Sequence, residues 1–149
     1  MTQSIKHILV PVDFSASSEI AMGTALEYFG DNVDAITILS VYEGSEKSTL
    51  SDVPDNEVDQ MMAKSALIEM TRFRKMFEEE AKNKKAVIDT EICKGNPSKV
   101  IINTAKGKRS DLVIMGSQGR GSLKSMFFGG TTYQVSRKAH CSVMVIRSN

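Results

Sequence analysis

The glycine-rich stretch Gly116–Thr132 reads GSQGRGSLKSMFFGGTT, and the rest of the chain is organised around it. It follows the apolar run 111–115, which has the pattern of a buried strand, and precedes residues 133–138, which have the pattern of a helix. Three of its glycines have the spacing G-x2-G-x9-G. Glycine lets a backbone approach a ligand closely, and amides in such a turn before a helix form a site of positive partial charge. The stretch therefore indicates a phosphate-binding loop, with a merely flexible loop as the alternative.

Outward from this loop, short apolar runs alternate with segments of helical periodicity. The predicted strands are Ile8–Val12, Ala35–Tyr42, Ala86–Cys93, Asp111–Met115 and Ser142–Ile146. The predicted helices run from about Ser15 to Gly30, from about Val58 to Lys84, from Pro97 onwards with Asn96 as cap, and from Tyr133 to Lys138. Residues 43–57 are polar and acidic and have the pattern of a long surface loop. This alternation predicts parallel βαβ units with right-handed crossovers.

The composition is that of a water-soluble protein. A length of 149 residues favours one domain, residues 1–149. With 19 basic and 18 acidic residues, the charge is too balanced to recruit nucleic acid or an anionic membrane surface. No apolar run is long enough to span a bilayer, and the opening MTQSIKHILVPVDFS lacks a secretory pattern. We therefore expect a cytoplasmic location and neither a nucleic-acid nor a membrane partner.

The cysteines and histidines do not indicate catalysis. Cys93 and Cys141 lie in strand-like apolar runs, where a buried reduced thiol is expected, and they form no metal-type cluster. His7 precedes the first strand and is expected at the surface, and His140 enters the last strand. Neither position suits a catalytic base, so we predict no catalytic residue and no metal-ligand set.

Three segments resemble the universal stress protein family. The opening HILVPVDFS at His7–Ser15 is similar to its first strand, and Met115–Ser125 with Gly129-Gly130 is similar to its nucleotide loop. The segment Cys141–Ile146 resembles its last strand, usually written CPVLVV. The resemblance runs colinearly from about Lys6 to Arg147. It implies an α/β fold of the adenine-nucleotide alpha-hydrolase type: three layers, with an open parallel five-stranded sheet of order 3-2-1-4-5 and helices on both faces. It also implies a dimer from one of two branches, of which one binds ATP and the other does not.

In that strand order the carboxyl ends of strands one and four meet at a topological switch point, where open α/β sheets bind their ligands. Asp13 and the Gly116 loop then face one crevice. The Asp13 carboxylate suits hydrogen bonds from ribose hydroxyls or a water-mediated Mg²⁺ contact, but a helix cap for the segment from Ser15 fits the residue equally well. The resemblance favours the nucleotide contact, and we place Ser15 among the contacting positions too.

The resemblance assigns the other site residues. Pro11 and Val12 would form the bottom of the adenine pocket. Backbone groups of Val41 would form hydrogen bonds with the edge of the adenine ring. Met115 would pack on the base or fill the core. The implied phosphate-contacting positions are Gly116, Gln118, Gly119 and Gly129. Where the family usually has Ser or Thr after its third glycine, this chain has Gly130, so Thr131 or Thr132 would have to supply the hydroxyl.

These observations predict a regulatory protein that binds ATP, or ADP or AMP, with Mg²⁺ as a possible companion, and acts as a dimeric switch on an unknown protein partner. The last strand, Ser142–Ile146, is apolar and predicted at a sheet edge, so we expect it to pair with its mate in a homodimer. Two alternatives stay open. One is a dimeric interaction module without nucleotide, and the other is a slow ATPase.

Overall fold

The computed structural model describes residues 4–44, 54–117 and 129–147. Within these ranges the strands are β1 His7–Val12, β2 Ala35–Tyr42, β3 Val87–Lys94, β4 Leu112–Gly116 and β5 Ser142–Ile146. The helices are α1 Ala16–Phe29, α2 Asp55–Met76, α3 Glu78–Lys82, α4 Pro97–Gly107 and α5 Gly130–Lys138. Of the described helices, none is both long and apolar enough to cross a membrane.

The five strands form one parallel sheet of order β3-β2-β1-β4-β5, which confirms the predicted fold. Both faces of the central strand are covered. Ile8 and Val10 belong to a core shared with α1 and α2, whereas Leu9 belongs to a core shared with α4 and α5. Burial on both faces explains why β1 is a continuous apolar run rather than an alternating one.

A crevice opens where two neighbouring strands separate. β1 pairs with β2 from His7 to Val12, but it pairs with β4 only at Ile8 and Leu9. Beyond that point the chain after β1 leads into α1, and the chain after β4 leads towards α5 on the opposite face of the sheet. Pro11, which has no N–H to contribute to a sheet, lies in the part of β1 that has left β4.

The sequence predicted one continuous helix from about Val58 to Lys84, and this prediction is wrong. The helix breaks at Phe77, whose φ of −105° and ψ of 4° are not helical. The break lets the Phe77 ring pack against Phe73, with ring centroids 5.2 Å apart, and leaves the acidic segment Glu78–Glu80 exposed. The periodic pattern continued through Phe77 because a helix and a tight turn both place this ring on the core side.

α5 begins three positions earlier than the predicted Tyr133. Gly129 is its N-cap, with extended backbone, and Gly130 to Thr132 form its first turn. Glycine and threonine are weak helix formers, so the pattern of residues alone placed the start too late.

His7 is not the surface residue that the sequence indicated. It is half-buried at the amino end of the sheet, where its Nδ1 lies 2.8 Å from Ser110 Oγ and its Nε2 lies 2.8 Å from Thr37 Oγ1. Thr37 in turn donates to Asp89 Oδ1 at 2.6 Å. Burial lowers the pKa of His7, although the nearby carboxylate of Asp89 acts in the opposite direction.

The two cysteines are free thiols, as expected, but both are half-buried rather than fully buried. Burial raises the pKa of the Cys93 thiol and that of the Cys141 thiol, so both are protonated at neutral pH.

Candidate functional site

A cavity of about 520 Å³ lies at the carboxyl ends of β1, β2 and β4. α2 and α4 form its side walls, and the first turn of α5 closes one end. Pockets of this size are typical of small-molecule and cofactor sites. The cavity occupies the crevice where β1 and β4 separate, which is the position that the switch-point rule gives for a ligand. We call it the switch-point cleft.

The structure brings most of the sequence-predicted site residues to this cleft. The predicted residues that line it are Pro11, Val12, Asp13, Val41, Met115, Gly116 and Thr131. Gly129 and Gly130 lie beside it as the N-cap and first residue of α5. Ser15 is the N-cap of α1 and is not among the lining residues. Gln118 and Gly119 lie outside the described residues.

Asp13 supports the N-terminus of α1, although the N-cap residue itself is Ser15. Its Oδ1 accepts from Ser15 N at 3.1 Å and from Ser18 Oγ at 2.8 Å, and its own N–H donates to Ser18 Oγ at 2.9 Å. Ser15 Oγ caps the same turn by accepting from Ser18 N at 3.3 Å. These bonds fix the Asp13 carboxylate at the edge of the cleft, so a structural role and a ligand role are compatible.

Phe14, between Asp13 and the N-cap Ser15, was missed by the sequence analysis. Its φ of 66° is in the left-handed region, which is rare for a bulky residue. The ring lines the cleft and packs edge-on against Phe73, with centroids 5.8 Å apart. This packing stabilises a backbone conformation that costs roughly 1–3 kcal/mol elsewhere, and the same conformation turns the chain sharply after Asp13. No signal in the sequence marks it.

Gly116 is required for close approach and not for a special φ. A Cβ at this position would lie 2.0 Å from Ser17 Oγ and 2.8 Å from Ser17 Cβ in the first turn of α1. The carbonyl of Gly116 accepts a hydrogen bond from Thr132 Oγ1 at 3.0 Å. The end of β4 is therefore held between the first turns of α1 and α5.

The two threonines after Gly130 have different surroundings. Thr131 lines the cleft and is half-buried. The Thr132 hydroxyl also lies at the cleft, but its proton is used in the bond to Gly116. Of the two, Thr131 is therefore the one with a hydroxyl to offer a phosphate oxygen.

The charge of the described lining is negative. Its charged side chains are Asp13, Glu43 and Glu69, and the described lining includes no lysine or arginine. Positive potential at the cleft comes instead from the N-terminus of α5, whose first-turn N–H groups have no side-chain cap among the residues that the structure describes. Carboxylates suit hydroxyl donors or a hydrated divalent cation, whereas the helix N-terminus suits an anion.

The apolar part of the cleft lies at the end of β2. An apolar slot lies there, lined by the side chains of Val41, Met115, Leu39 and Ile101, which belong to one hydrophobic cluster. Among the described residues no group of three or more His, Cys, Asp or Glu side chains is placed to hold a metal ion. An Mg²⁺ here would consequently rely on ligand phosphates and on one carboxylate, which is a usual arrangement for this cation.

One wall of the cleft is formed by the inward face of α2. Met62, Ser65, Ala66 and Glu69 of α2 all line it. Their helical spacing marks the inward face, and Ala66 is indeed buried. A buried helix face and a cleft wall have the same residue spacing. Only the polar residues Ser65 and Glu69 indicate that this face lines a cleft.

The family of this chain follows from a sequence match over nearly its whole length. The sequence model of the universal stress protein family matches residues 4–147. The chain belongs to the universal stress protein family. Universal stress protein YxiE of Bacillus subtilis is 28% identical over 145 residues, covering 94% of this chain and 97% of the relative. The solved structure of MJ0577, a universal stress protein of Methanocaldococcus jannaschii, is 26% identical, covers 99% of each chain and superposes with a TM-score of 0.84.

More distant members with bound ligands share this fold. A universal stress protein in complex with cAMP is 22% identical, with a TM-score of 0.68 over 99% of this chain and 100% of the other. A family member from Arabidopsis thaliana with AMP bound is 20% identical, with a TM-score of 0.65 over 97% and 92%. At these identities the likeness shows the fold, and the bound nucleotides are properties of those proteins.

Proposed function

We propose that this universal stress protein binds an adenine nucleotide in the switch-point cleft and acts as a nucleotide-dependent regulatory protein. The observation that supports this most directly is that residues from four elements meet in one cavity. The ends of β1, β2 and β4 and the first turn of α5 contribute Asp13, Val41, Gly116 and Thr131 to one cavity. The family members solved with cAMP and with AMP agree with this class of ligand.

The proposed pose follows the character of each part of the cleft. The adenine ring lies in the apolar slot between Val41 and Met115, with backbone groups of Val41 at its edge. The ribose hydroxyls donate to the Asp13 carboxylate, which the capping bonds hold in place. The phosphates meet the N–H groups at the start of α5, where the helix dipole favours negative charge. When bound, Mg²⁺ would neutralise phosphate charge beside Asp13.

The regulatory part of the proposal concerns the edge of the sheet. β5 is the edge strand next to β4, and its apolar side chains from Val143 to Ile146 are only half-buried. We assign a homodimer to this edge, in the cytoplasm, with ATP, ADP or AMP occupancy controlling access of a protein partner. Any ATP hydrolysis would be slow, because the described lining includes no lysine or arginine to stabilise the charge on a transferring phosphoryl group.

The alternative, a dimeric interaction module without nucleotide, is favoured by two features. The described lining has carboxylates and no cationic side chain, and Gly130 lacks the hydroxyl that the family's nucleotide loop usually has. If phosphate binding needs either feature, the cleft would bind nucleotides too weakly to matter.

Native mass spectrometry of freshly purified protein tests the proposal. We expect a dimer that carries adenine nucleotide, or that gains mass in one-nucleotide steps when ATP is added. A dimer that gains no nucleotide at millimolar ATP would support the interaction module instead. A monomer that binds nucleotide would refute the dimer and leave the cleft assignment in place.

A further inference from the structure

The two ends of the glycine loop are fastened to each other. Gly129 N donates to Ser117 O at 3.0 Å, so the two described ends of the loop lie side by side. Thr132 adds a second link, because its Oγ1 donates to Gly116 O at 3.0 Å. The first link is made by backbone alone, but the second depends on one side-chain hydroxyl.

Thr132 uses its hydroxyl differently from two other threonines in the described helices. Thr24 and Thr71 donate to carbonyls one turn back in their own helices, Ile20 O and Leu67 O, both at 2.8 Å. Such bonds within a helix are the ordinary choice for a threonine hydroxyl. The Thr132 hydroxyl instead reaches a carbonyl 16 positions earlier, at the end of β4, and the side chain is 4% exposed.

The residue that Thr132 holds has no room on its other side. Gly116 touches Ser17 in the first turn of α1 so closely that a Cβ would lie 2.0 Å from Ser17 Oγ. Its position relative to α1 is therefore set by contact, and its position relative to α5 is set by the Thr132 bond. Together they fix the spacing between β4 and the N–H groups of α5, which is the span available to a phosphate chain.

We propose that Thr132 is a positioning residue for the phosphates of the bound nucleotide, an inference that rests on the proposed function. Its hydroxyl does not donate to the ligand, since the proton is committed to Gly116. It holds the first turn of α5 against the end of β4, so that the uncapped N–H groups of α5 converge on the phosphate position. In the proposed pose the base and the ribose are held by Val41 and Asp13, neither of which is a partner in this bond.

The test compares Thr132→Val, which keeps the shape and removes the hydroxyl, with Thr132→Ser, which keeps the hydroxyl. Thr24→Val is the matched control, because it removes a hydroxyl bond of similar length within α1. Calorimetric titrations use adenosine, AMP and ATP. We expect Thr132→Val to reduce the affinity for ATP by about three- to tenfold more than the affinity for adenosine, a loss typical of one neutral hydrogen bond. Thr132→Ser and Thr24→Val should bind all three as wild type does.

Hydrogen exchange of the ligand-free proteins supplies a readout that needs no nucleotide. The hydrogen-bonded amides at this junction, Gly129 N to Ser117 O and Tyr133 N to Gly129 O, should exchange faster in Thr132→Val than in wild type or Thr24→Val. Should Thr132→Val not fold, Thr132→Ala replaces it in both measurements. Equal loss of adenosine and ATP, or unchanged exchange, would overturn the positioning role. If wild type binds none of the three ligands, the proposed function fails, and the exchange data alone decide whether Thr132 holds α5.

Discussion

Leu9 and Val113 are the last pair of residues at which β1 and β4 run side by side. Past this pair β1 remains with β2 as far as Val12 and Ser40, so the sheet splits along a single line. The switch-point cleft begins at this split. The cleft is therefore a consequence of strand order, and the side chains that follow the split decide which ligand it accepts.

Replacement of Asp13 should separate its two roles. Asp13→Ala removes a carboxylate that accepts hydrogen bonds from Ser15 N and Ser18 Oγ at the start of α1 and, in the proposed pose, holds ribose. We expect ATP affinity to fall by about 1–3 kcal/mol, as for a hydrogen bond to a charged group. Ser15→Ala is the control, because it weakens the same cap without altering a lining residue. If calorimetry finds that Ser15→Ala weakens ATP as much as Asp13→Ala does, the Asp13 carboxylate acts on binding only as a cap.

A methyl group at Gly116 should be far more costly than one at Gly130. Gly116→Ala places a Cβ 2.0 Å from Ser17 Oγ, and we expect a loss of stability of about 1–3 kcal/mol, as for other overpacked sites. Gly130→Ala is the matched substitution, since a Cβ there meets nothing within 4 Å. It should stabilise the protein by about 0.4–1 kcal/mol by restricting the unfolded chain. Urea unfolding at one protein concentration measures both, and equal effects would contradict the close contact.

Gly130 also offers a test of phosphate discrimination. The position is the exposed first residue of α5, so a serine fits without strain. Gly130→Ser should supply the hydroxyl that the chain lacks there and tighten ATP more than ADP, by up to about 1.5–3 kcal/mol. Paired titrations of wild type and variant check this. If the wild-type protein already prefers ATP to ADP tenfold and the substitution leaves that ratio unchanged, the Thr131 hydroxyl or the backbone N–H groups are sufficient to distinguish ATP from ADP.

Lowering the pH should decrease the free energy of unfolding, because His7 becomes protonated. Its pKa is lowered in the folded protein, so the unfolded chain binds the proton more readily and unfolding takes up a proton. The contribution of His7 is therefore complete above the unfolded value of 6.5 and is lost as the pH falls through the lower folded pKa. The pKa of Asp111 is lowered by hydrogen bonds from His7 N and Lys6 N, so its contribution is lost only below its ordinary value of 3.8. Unfolding free energies between pH 7.5 and 5 should fall in wild type and change less in His7→Gln. Parallel curves would contradict this account.

Much of the fold followed from local patterns. Each strand was predicted to within about one residue of its observed bounds, because each is a short run of continuous or alternating apolar residues. The order of the strands came from the family resemblance, since no local pattern encodes which strands are neighbours. Given that order, the switch-point rule placed Asp13 and Gly116 together.

What the sequence did not reveal depends on long-range contacts. The positive φ of Phe14 is stabilised by a ring far along the chain, Phe73. His7 is tied to Ser110, 103 positions away, and its burial follows only once β1 and β4 are adjacent. The Thr132 bond to Gly116 likewise forms between elements whose contact no periodicity predicts.

Calorimetric titration of the wild-type protein with ATP and with GTP tests the central claim most directly. In the proposed pose the base is recognised at its edge by backbone groups of Val41, which are fixed by the pairing of β2 with its neighbours. These groups cannot adapt to the exchanged donors and acceptors of guanine. We predict that ATP binds at least tenfold more tightly than GTP, a difference of about 1.4 kcal/mol or more. Equal affinity for the two nucleotides, or no binding of either, would contradict an adenine site in the switch-point cleft.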